Sequence, residues 1–259
     1  MSASFYFDRD SWFHRLHPVT RIIMLALSFC SALLIEHPLF ILALALVYAL
    51  AGARTGALTG LGRVFWLMAL IALASFMIWS LAYSGRTAAL RLGPLTITSQ
   101  GMLYGAGMGL RLDLMIFCGL IFLAATPVEE FTSGLTRMGL PFPMSFALSL
   151  SFRLVPLFAD TVHTIRDAQK ARGLDTGAGN VFTRLKNYVP LLAPVFASAL
   201  RRADQLAIAL ESKGFGLAPR RGSIRQYERG WRDALAVIAI LLIIALEIAA
   251  RVLGYGMIE

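Results

Sequence analysis

Charged residues are scarce in this sequence. They make up 15% of the 259 residues, whereas 58% are hydrophobic, and an ordinary globular chain has about 25% charged residues. This composition excludes an ordinary soluble domain and predicts an integral membrane protein. The formal net charge of +9 is unevenly placed along the chain, which is typical of a membrane-topology signal and disfavours a nucleic-acid partner.

The sequence also lacks the common motifs of nucleotide binding and catalysis. It has no G-x-x-x-x-G-K-[ST] segment, so the chain is not expected to bind ATP or magnesium by itself. It has neither H-E-x-x-H nor G-x-S-x-G, and its four histidines are scattered, which disfavours a metalloenzyme or a serine hydrolase. Cys30 and Cys118 both fall inside apolar runs and predict neither a disulfide nor a metal ligand. We therefore predict no catalytic residue, cofactor site or metal site.

Apolar runs are what the sequence has in abundance. Five of them are predicted to be transmembrane helices, since about 20 helical residues cross the hydrocarbon core of a bilayer. The first two runs are short and are separated by Glu36-His37-Pro38, which predicts a tight helical hairpin. Between the third and fourth runs, a Gly-Pro turn in residues 84–100 predicts a small hairpin or loop outside the bilayer. The runs cover residues 19–35, 39–51, 64–83, 102–125 and 234–253.

The distribution of lysine and arginine predicts the orientation in the membrane. Fifteen of these residues lie between positions 129 and 233, and two lie in residues 84–100. Because basic loops stay in the cytoplasm, the long basic segment is predicted to be cytoplasmic, with the amino terminus inside and the carboxyl terminus outside. The expected fold is all-α. It comprises transmembrane helices 1 to 4 in residues 1–128, a cytoplasmic helical segment in 129–230, and a last transmembrane helix in 231–259.

Two long helices that cross each other are predicted in the cytoplasmic segment. The first, from Pro143 to Arg172, is almost wholly apolar up to Asp160 and amphipathic beyond it, so one end is expected in or under lipid and the other in water. The second, from Leu185 to Lys213, has apolar residues at alternating steps of four and three, a seam that suits close packing with another helix. The seam residues are Leu192, Phe196, Ala199, Ala203, Leu206 and Leu210.

Both long helices are predicted to end in the same kind of triplet, a small residue followed by a cation and a glycine. The triplets are Ala171-Arg172-Gly173 and Ser212-Lys213-Gly214. Glycine takes the left-handed conformation that ends a helix, and a cation complements the negative end of the helix dipole, so each triplet alone is explained as a cap. Two such ends on successive basic helices suggest two docking points for partner proteins.

Five segments make the chain resemble the transmembrane T component of energy-coupling factor transporters, a family that includes cobalt and biotin transporter subunits. The two segments most specific to the family contain the triplets. The first triplet matches the Ala-Arg-Gly of the family, whereas the second has serine and lysine, which keep the charge and the glycine but lose the planar fork of arginine. The segments are WFHRLHPVTRI, LGPLTITSQGMLYGAGMGLRL, AATPVEEFTSGLTRMGLP, SLSFRLVPLFADTVHTIRDAQKARGLD and LLAPVFASALRRADQLAIALESKGFG.

The resemblance implies a complex with two cytoplasmic ATPase subunits and a small membrane S component. The ATPases would bind ATP and magnesium, and the S component would bind the vitamin or metal ion that is transported. The two triplets would lie in grooves of the two ATPases, and the apolar helix faces would contact the S component. This chain would then be a non-enzymatic coupling subunit in the bacterial cytoplasmic membrane, transmitting ATP-driven motion to the S component.

Two other interpretations stay open. Arg111, Asp113 and Glu247 lie inside predicted spans, where ionisable residues are functional candidates, and they would line the path of a self-sufficient permease or channel. A structural ion pair or snorkelling side chains are the favoured explanation, because one arginine and one carboxylate do not make a relay. The basic stretch PRRGSIRQYERGWR, residues 219–232, would bind anionic lipid or only fix the topology.

Overall fold

The structure of the chain is a computed structural model that describes residues 12–35, 37–53, 55–82, 88–92, 95–174, 180–216, 227 and 230–253. These residues form α-helices, one short 3-10 helix (Trp12–Arg15) and one two-stranded hairpin. The fold is therefore helical, as the sequence predicts. The helices are α1 (Pro18–Leu34), α2 (Pro38–Gly52), α3 (Ala57–Ala82), α4 (Ser99–Ala125), α5 (Val128–Arg137), α6 (Phe142–Ala171), α7 (Val181–Ser212) and α8 (Trp231–Val252).

The chain divides into two compact units. The bundle unit contains α1 to α5, the hairpin and α8, and the two-helix unit begins at Phe146 and contains nearly all of α6 and all of α7. The helix α5 belongs to the bundle unit, although the sequence-based division at residue 129 grouped it with α6 and α7.

All five predicted transmembrane runs are helices. The part of α3 from Val64 to Ala82, α4 and α8 are long and apolar enough to cross a membrane, as is α6. The helices α1 and α2 are shorter, with 17 and 15 residues. Each of these two begins with a proline at its first position and a histidine, His17 or His37, whose side chain accepts a hydrogen bond from the helix backbone. Proline and an accepting side chain are both favoured there, because the first N–H groups of a helix have no partner within it.

The helix directions in the bundle unit alternate as five successive crossings require. Arg21 in the first turn of α1 donates to the carbonyl of Ala125 at the end of α4, and Arg111 of α4 donates to the carbonyl of Ile35 just after α1. The helices α1 and α4 are therefore antiparallel. The helix α2 is parallel to α4, because Gly52 at its end lies against Ile121 and Ile41 at its start lines a cavity with Leu110.

The last helix, α8, runs parallel to α1. The backbone N–H of His17 donates to Asp233 at the start of α8, and the hydroxyl of Ser31 donates to Glu247 near its other end, each over 2.7 Å. The same sequence separation of 216 residues in both pairs means that the two helices keep one register along their length. The starts of α1 and α8 and the end of α4 therefore lie at one end of the bundle unit.

The helices α3 and α4 approach each other closely at two glycines. A Cβ atom on Gly105 would lie 2.9 Å from the carbonyl oxygen of Phe76, and one on Gly109 would lie 3.0 Å from that of Ala72. Both obstacles are backbone atoms, which cannot rotate away. Small residues at this spacing allow helix backbones to touch, which is how membrane helices pair without a hydrophobic driving force. The pairing is antiparallel, because Gly105 lies against Phe76 whereas Gly109, later in α4, lies against Ala72, which is earlier in α3.

Replacing Gly105 by alanine is expected to destabilise the bundle unit by about 1–3 kcal/mol, the usual cost of overpacking. Gly119 is the matched control on the same helix, because a Cβ there would meet nothing within 4 Å. Gly119→Ala should be neutral or stabilising, since alanine is the better helix former. Thermal unfolding in detergent measures both. A Gly105→Ala protein that melts at or above the temperature of Gly119→Ala would contradict the close packing.

The predicted hairpin between the third and fourth membrane helices is present. Strands β1 (Ala88–Leu92) and β2 (Leu95–Thr98) pair antiparallel, with Leu92 opposite Leu95. The Gly-Pro turn between them, residues 93–94, lies outside the described residues. Thr98 ends the second strand and caps α4, because its hydroxyl accepts a hydrogen bond from the N–H of Gly101 over 3.1 Å. The hairpin thus leads directly into α4.

Candidate functional site

The two long helices end with the same backbone geometry. Gly173 and Gly214 both have positive φ angles, +90° and +71°, which glycine adopts without steric cost. Beyond each glycine the chain folds back. The N–H of Leu174 donates to the carbonyl of Gln169 over 3.0 Å, and the N–H of Phe215 donates to that of Leu210 over 2.9 Å. Both pairs span five residues, as in a Schellman motif, which confirms that the two helices end alike.

The triplets present their cations outward. Ala171, Arg172, Ser212 and Lys213 are all exposed. Among the described residues, neither Arg172 nor Lys213 forms an ion pair with a carboxylate. A Cβ on Gly173 would meet nothing within 4 Å, so only its φ angle requires glycine, and the space beside its backbone is open. Each helix end therefore offers an exposed cation beside a glycine turn, and the turn at Gly173 is open.

The predicted seam of α7 is divided between two environments. Ala199, Leu206 and Leu210 are half-buried, whereas Leu192, Phe196 and Ala203 are exposed. Leu206 lines a cavity of about 460 Å³ together with residues in the middle of α6. The ring of Phe215, just beyond α7, lies 4.6 Å from that of Phe146 near the start of α6. The carboxyl-terminal part of α7 therefore packs against the first two thirds of α6. Leu150, Leu154 and Leu157 are the leucines that α6 contributes to the cavity.

The exposed part of the seam continues toward the start of α7 as a stripe of large apolar side chains. At 3.6 residues per turn the members fall within a sector of about 80° and extend over about 27 Å. Each of them is between 52% and 86% exposed. A contiguous exposed apolar surface of this kind marks contact with a protein or with lipid. We call it the exposed stripe, and it consists of Phe182, Leu185, Val189, Leu192, Phe196 and Leu200.

The sequence-based seam included only two members of the exposed stripe. The periodicity of three and four continues from Leu192 back to Phe182, so the signal for the other members was available. Phe182 was left out because the helix was predicted to begin at Leu185, whereas α7 begins at Val181 with Asn180 as its N-cap residue. Leu185, Val189 and Leu200 lie inside the predicted helix but were not assigned to the seam. Asparagine is a preferred residue at that position.

A second group of residues, at one end of the bundle unit, was not predicted at all. The guanidinium of Arg21 is 2% exposed and lies 2.6 Å from the carboxylate of Glu130 in α5. It also donates to the carbonyls of Ala125, over 2.9 Å, and His14. A buried cation needs such partners because its transfer from water is costly. Arg21 and Glu130 belong to two of the segments that carry the family resemblance, but they are 109 residues apart, and no local pattern links them.

Comparison with known proteins shows the family to which the chain belongs. The family model described as cobalt transport protein, CbiQ, matches residues 9–224. The energy-coupling factor transporter transmembrane protein EcfT of Limosilactobacillus fermentum is 31% identical over 263 residues, covering 94% of this chain and 95% of the relative. The chain belongs to the EcfT family. The proteins of the same name from Streptococcus thermophilus and Lactococcus lactis are 32% and 29% identical, covering 91% and 94% of this chain.

Membership of the EcfT family makes the chain a multi-pass membrane protein and the transmembrane component of an energy-coupling factor transporter. Its relatives are named as transporter components and not as enzymes. The matched region contains both triplets, the exposed stripe and the Arg21–Glu130 pair, and it ends before α8. Each feature described above therefore lies in the part of the chain that the family shares.

Three ionisable residues inside the spans of this EcfT member, Arg111, Glu247 and Arg251, form hydrogen bonds that link α4 and α8 to α1. Arg111 and Arg251 donate to the carbonyls of Ile35 and Leu34 at the end of α1, over 2.6 Å and 3.3 Å. Glu247 accepts from Ser31, as described above. The carbonyls at a helix end have no partner within the helix, and cations satisfy them. Asp113 lines an apolar cavity of about 210 Å³ between α2, α3 and α4.

Proposed function

We propose that this chain is the coupling subunit of an energy-coupling factor importer. It transmits ATP-driven motion of two cytoplasmic ATPase subunits to a membrane S component, which carries a vitamin or a metal ion. The observation that carries this proposal is the pair of like helix ends, each with an exposed cation beside a glycine turn, on the two long helices. Two equivalent contact points suit two copies of one kind of partner.

The directions of the helices support a cytoplasmic position for both ends. The end of α4 and the start of α8 lie at the same end of the bundle unit, so the chain between them crosses the membrane an even number of times. Of the described helices in that interval, α6 alone is long and apolar enough to cross. We therefore infer that α6 does not cross and lies at the interface, in keeping with its amphipathic second half. The fifteen cations of this segment support a cytoplasmic position for it, with the amino terminus inside and the carboxyl terminus outside.

The chemistry of the two helix ends suits grooves lined by hydrogen-bond acceptors on the ATPases. Arg172 offers a planar fork of donors that binds a carboxylate or two carbonyls at once, whereas Lys213 offers a compact ammonium group. The two contacts would therefore differ in geometry, although both keep the charge. ATP and magnesium belong to the ATPases in this proposal, and the chain itself holds no cofactor.

The exposed stripe on α7 suits the S component. A membrane-embedded partner offers an apolar surface, and the interaction depends on packing over a wide area with a few central large side chains. Leu192 and Phe196 lie in the middle of the stripe and Ala203 follows on the same face. Motion of the tip at Lys213 would reach the stripe through α7, because Lys213 directly follows the helix that carries the stripe.

The alternative, a self-sufficient permease, has less support. Arg111 and Glu247 are engaged in hydrogen bonds to Ile35 and Ser31, whereas Asp113 lines a cavity between α2, α3 and α4. Lipid binding by residues 219–232 stays a prediction, because most of that stretch lies outside the described residues.

Purification of the tagged chain from its native membrane in mild detergent tests the proposed function. We expect two P-loop ATPase subunits per chain and one small membrane protein in the complex, identified and counted by mass spectrometry. A chain that purifies alone, or only with copies of itself, would contradict a coupling role.

A further inference from the structure

Both connections of the two-helix unit to the bundle unit are held by one short segment. This segment, His14 to Arg21, lies at the start of α1 and is called the anchor segment below. The incoming connection is α5, which leads from α4 toward α6. The outgoing connection leads into α8, and its described residues are Tyr227, Gly230 and the first turn of α8, which includes Asp233. All of these residues belong to the bundle unit.

The incoming connection is fixed along the whole of α5. Glu130 in its first turn forms the buried ion pair with Arg21. Gly134 in its middle lies so close to the start of α1 that a Cβ there would be 3.3 Å from the backbone carbon of Pro18. Arg137 in its last turn lies 3.1 Å from the Nε2 atom of His17. The helix is therefore held at both ends and in the middle.

The outgoing connection is fixed to the same segment. The carboxylate of Asp233, only 8% exposed, accepts the backbone N–H of His17 over 2.7 Å and that of Gly230 over 2.9 Å. Arg137 also donates to the carbonyl of Tyr227 over 3.2 Å, and its guanidinium lies 5.7 Å from the centre of the tyrosine ring. Arg137 thus joins the incoming connection to the outgoing one.

We propose that Glu130 and Asp233 are positioning residues for energy coupling, because they fix both connections of the coupling helices to the anchor segment. A force applied at the tips of α6 and α7 moves the S component only if the two points at which the chain enters and leaves the two-helix unit do not yield. Loose connections would absorb the motion, and ATP would be hydrolysed without transport. This inference rests on the proposed function. It assigns a role to the segments WFHRLHPVTRI and AATPVEEFTSGLTRMGLP, to which docking at the triplets alone assigns none.

The test uses the complete complex reconstituted in liposomes, with Glu130→Gln, Asp233→Asn and Arg137→Gln compared with the unchanged protein. Glu129→Gln is the matched control, since Glu129 is exposed and lies in the same turn of α5. The probes are radiolabelled cobalt(II) and a panel of radiolabelled vitamins, of which the one accumulated by the unchanged complex is used. The quantity measured is the amount transported per ATP hydrolysed.

We expect the three anchor variants to assemble and hydrolyse ATP, while transport per ATP falls about two- to thirtyfold, the range typical of substitutions in a coupling network. Glu129→Gln should behave as the unchanged protein. Equal transport per ATP in all variants would contradict the positioning role of the anchor segment and leave the proposed function intact. Failure of all three anchor variants to assemble would contradict that role in the same way, since it would show that these residues are purely structural. An unchanged complex that accumulates no probe with ATP would overturn the proposed function and the anchor with it.

Discussion

Replacing Arg172 and Lys213 together by glutamate is expected to abolish binding of the ATPase subunits while the chain still inserts into the membrane. Both cations are exposed and lie just beyond the last residue of α6 and α7. A carboxylate there would face the hydrogen-bond acceptors that are expected to bind the cation. Negative groups placed opposite each other at an interface cost several kcal/mol. The helix ends themselves should survive, because the unfavourable interaction with the helix dipole costs only about 0.3–1 kcal/mol at each.

The measurement is the ratio of ATPase to this chain after affinity purification. Arg166→Glu is the control, because Arg166 is exposed on the same helix but pairs with the neighbouring Asp167 and lies more than a turn before the triplet. It should keep the ATPases. Lys213→Arg should bind at least as well as the unchanged protein, since it restores the planar fork. Normal ATPase content in the double variant would rule out docking at the two triplets.

Replacing Leu192 and Phe196 together by glutamate should release the S component without releasing the ATPases. The two side chains are 52% and 64% exposed at the centre of the exposed stripe. Burying carboxylates against an apolar partner costs several kcal/mol because they lose their hydration without a compensating charge. Loss of two central contacts commonly costs at least about 2 kcal/mol each, roughly thirtyfold in affinity.

The control for this pair is Ile208→Glu. Ile208 is 67% exposed on the same helix, but it lies about 80–160° around the helix axis from the members of the exposed stripe. Its replacement should leave the S component bound. Retention of the S component by the Leu192→Glu and Phe196→Glu double variant, or its loss from Ile208→Glu alone, would show that another surface holds it.

The features that could be predicted from the sequence are those determined by neighbouring residues. The helix ends at Gly173 and Gly214 follow from a local rule, since glycine relieves the strain of a positive φ angle. The hairpin before α4 and the break between α1 and α2 are likewise marked by proline, glycine and histidine within a few residues. Length and hydropathy were sufficient to find all five helices of the predicted spans.

The features that were missed depend on residues far apart in the chain. Periodicity identified an apolar face on α7 but not the part of that face that packs on α6. Leu192 and Leu206 both fit the heptad pattern, and only the position of the contact with α6 decides which of them is covered. The partners of Arg21 and His17 are 109 and 216 residues away. Such pairs are set by the packing of α1 against α4, α5 and α8, and a single sequence carries no signal of that packing.

The most direct test of a coupling role is substrate uptake by liposomes that contain either this chain alone or this chain with its two ATPase subunits and its S component. The probe is the cobalt(II) ion or vitamin that the purified S component binds. We predict no uptake by the chain alone, with or without ATP, and accumulation by the complete complex only when ATP is hydrolysed. Uptake by the chain alone would contradict the account and identify a permease.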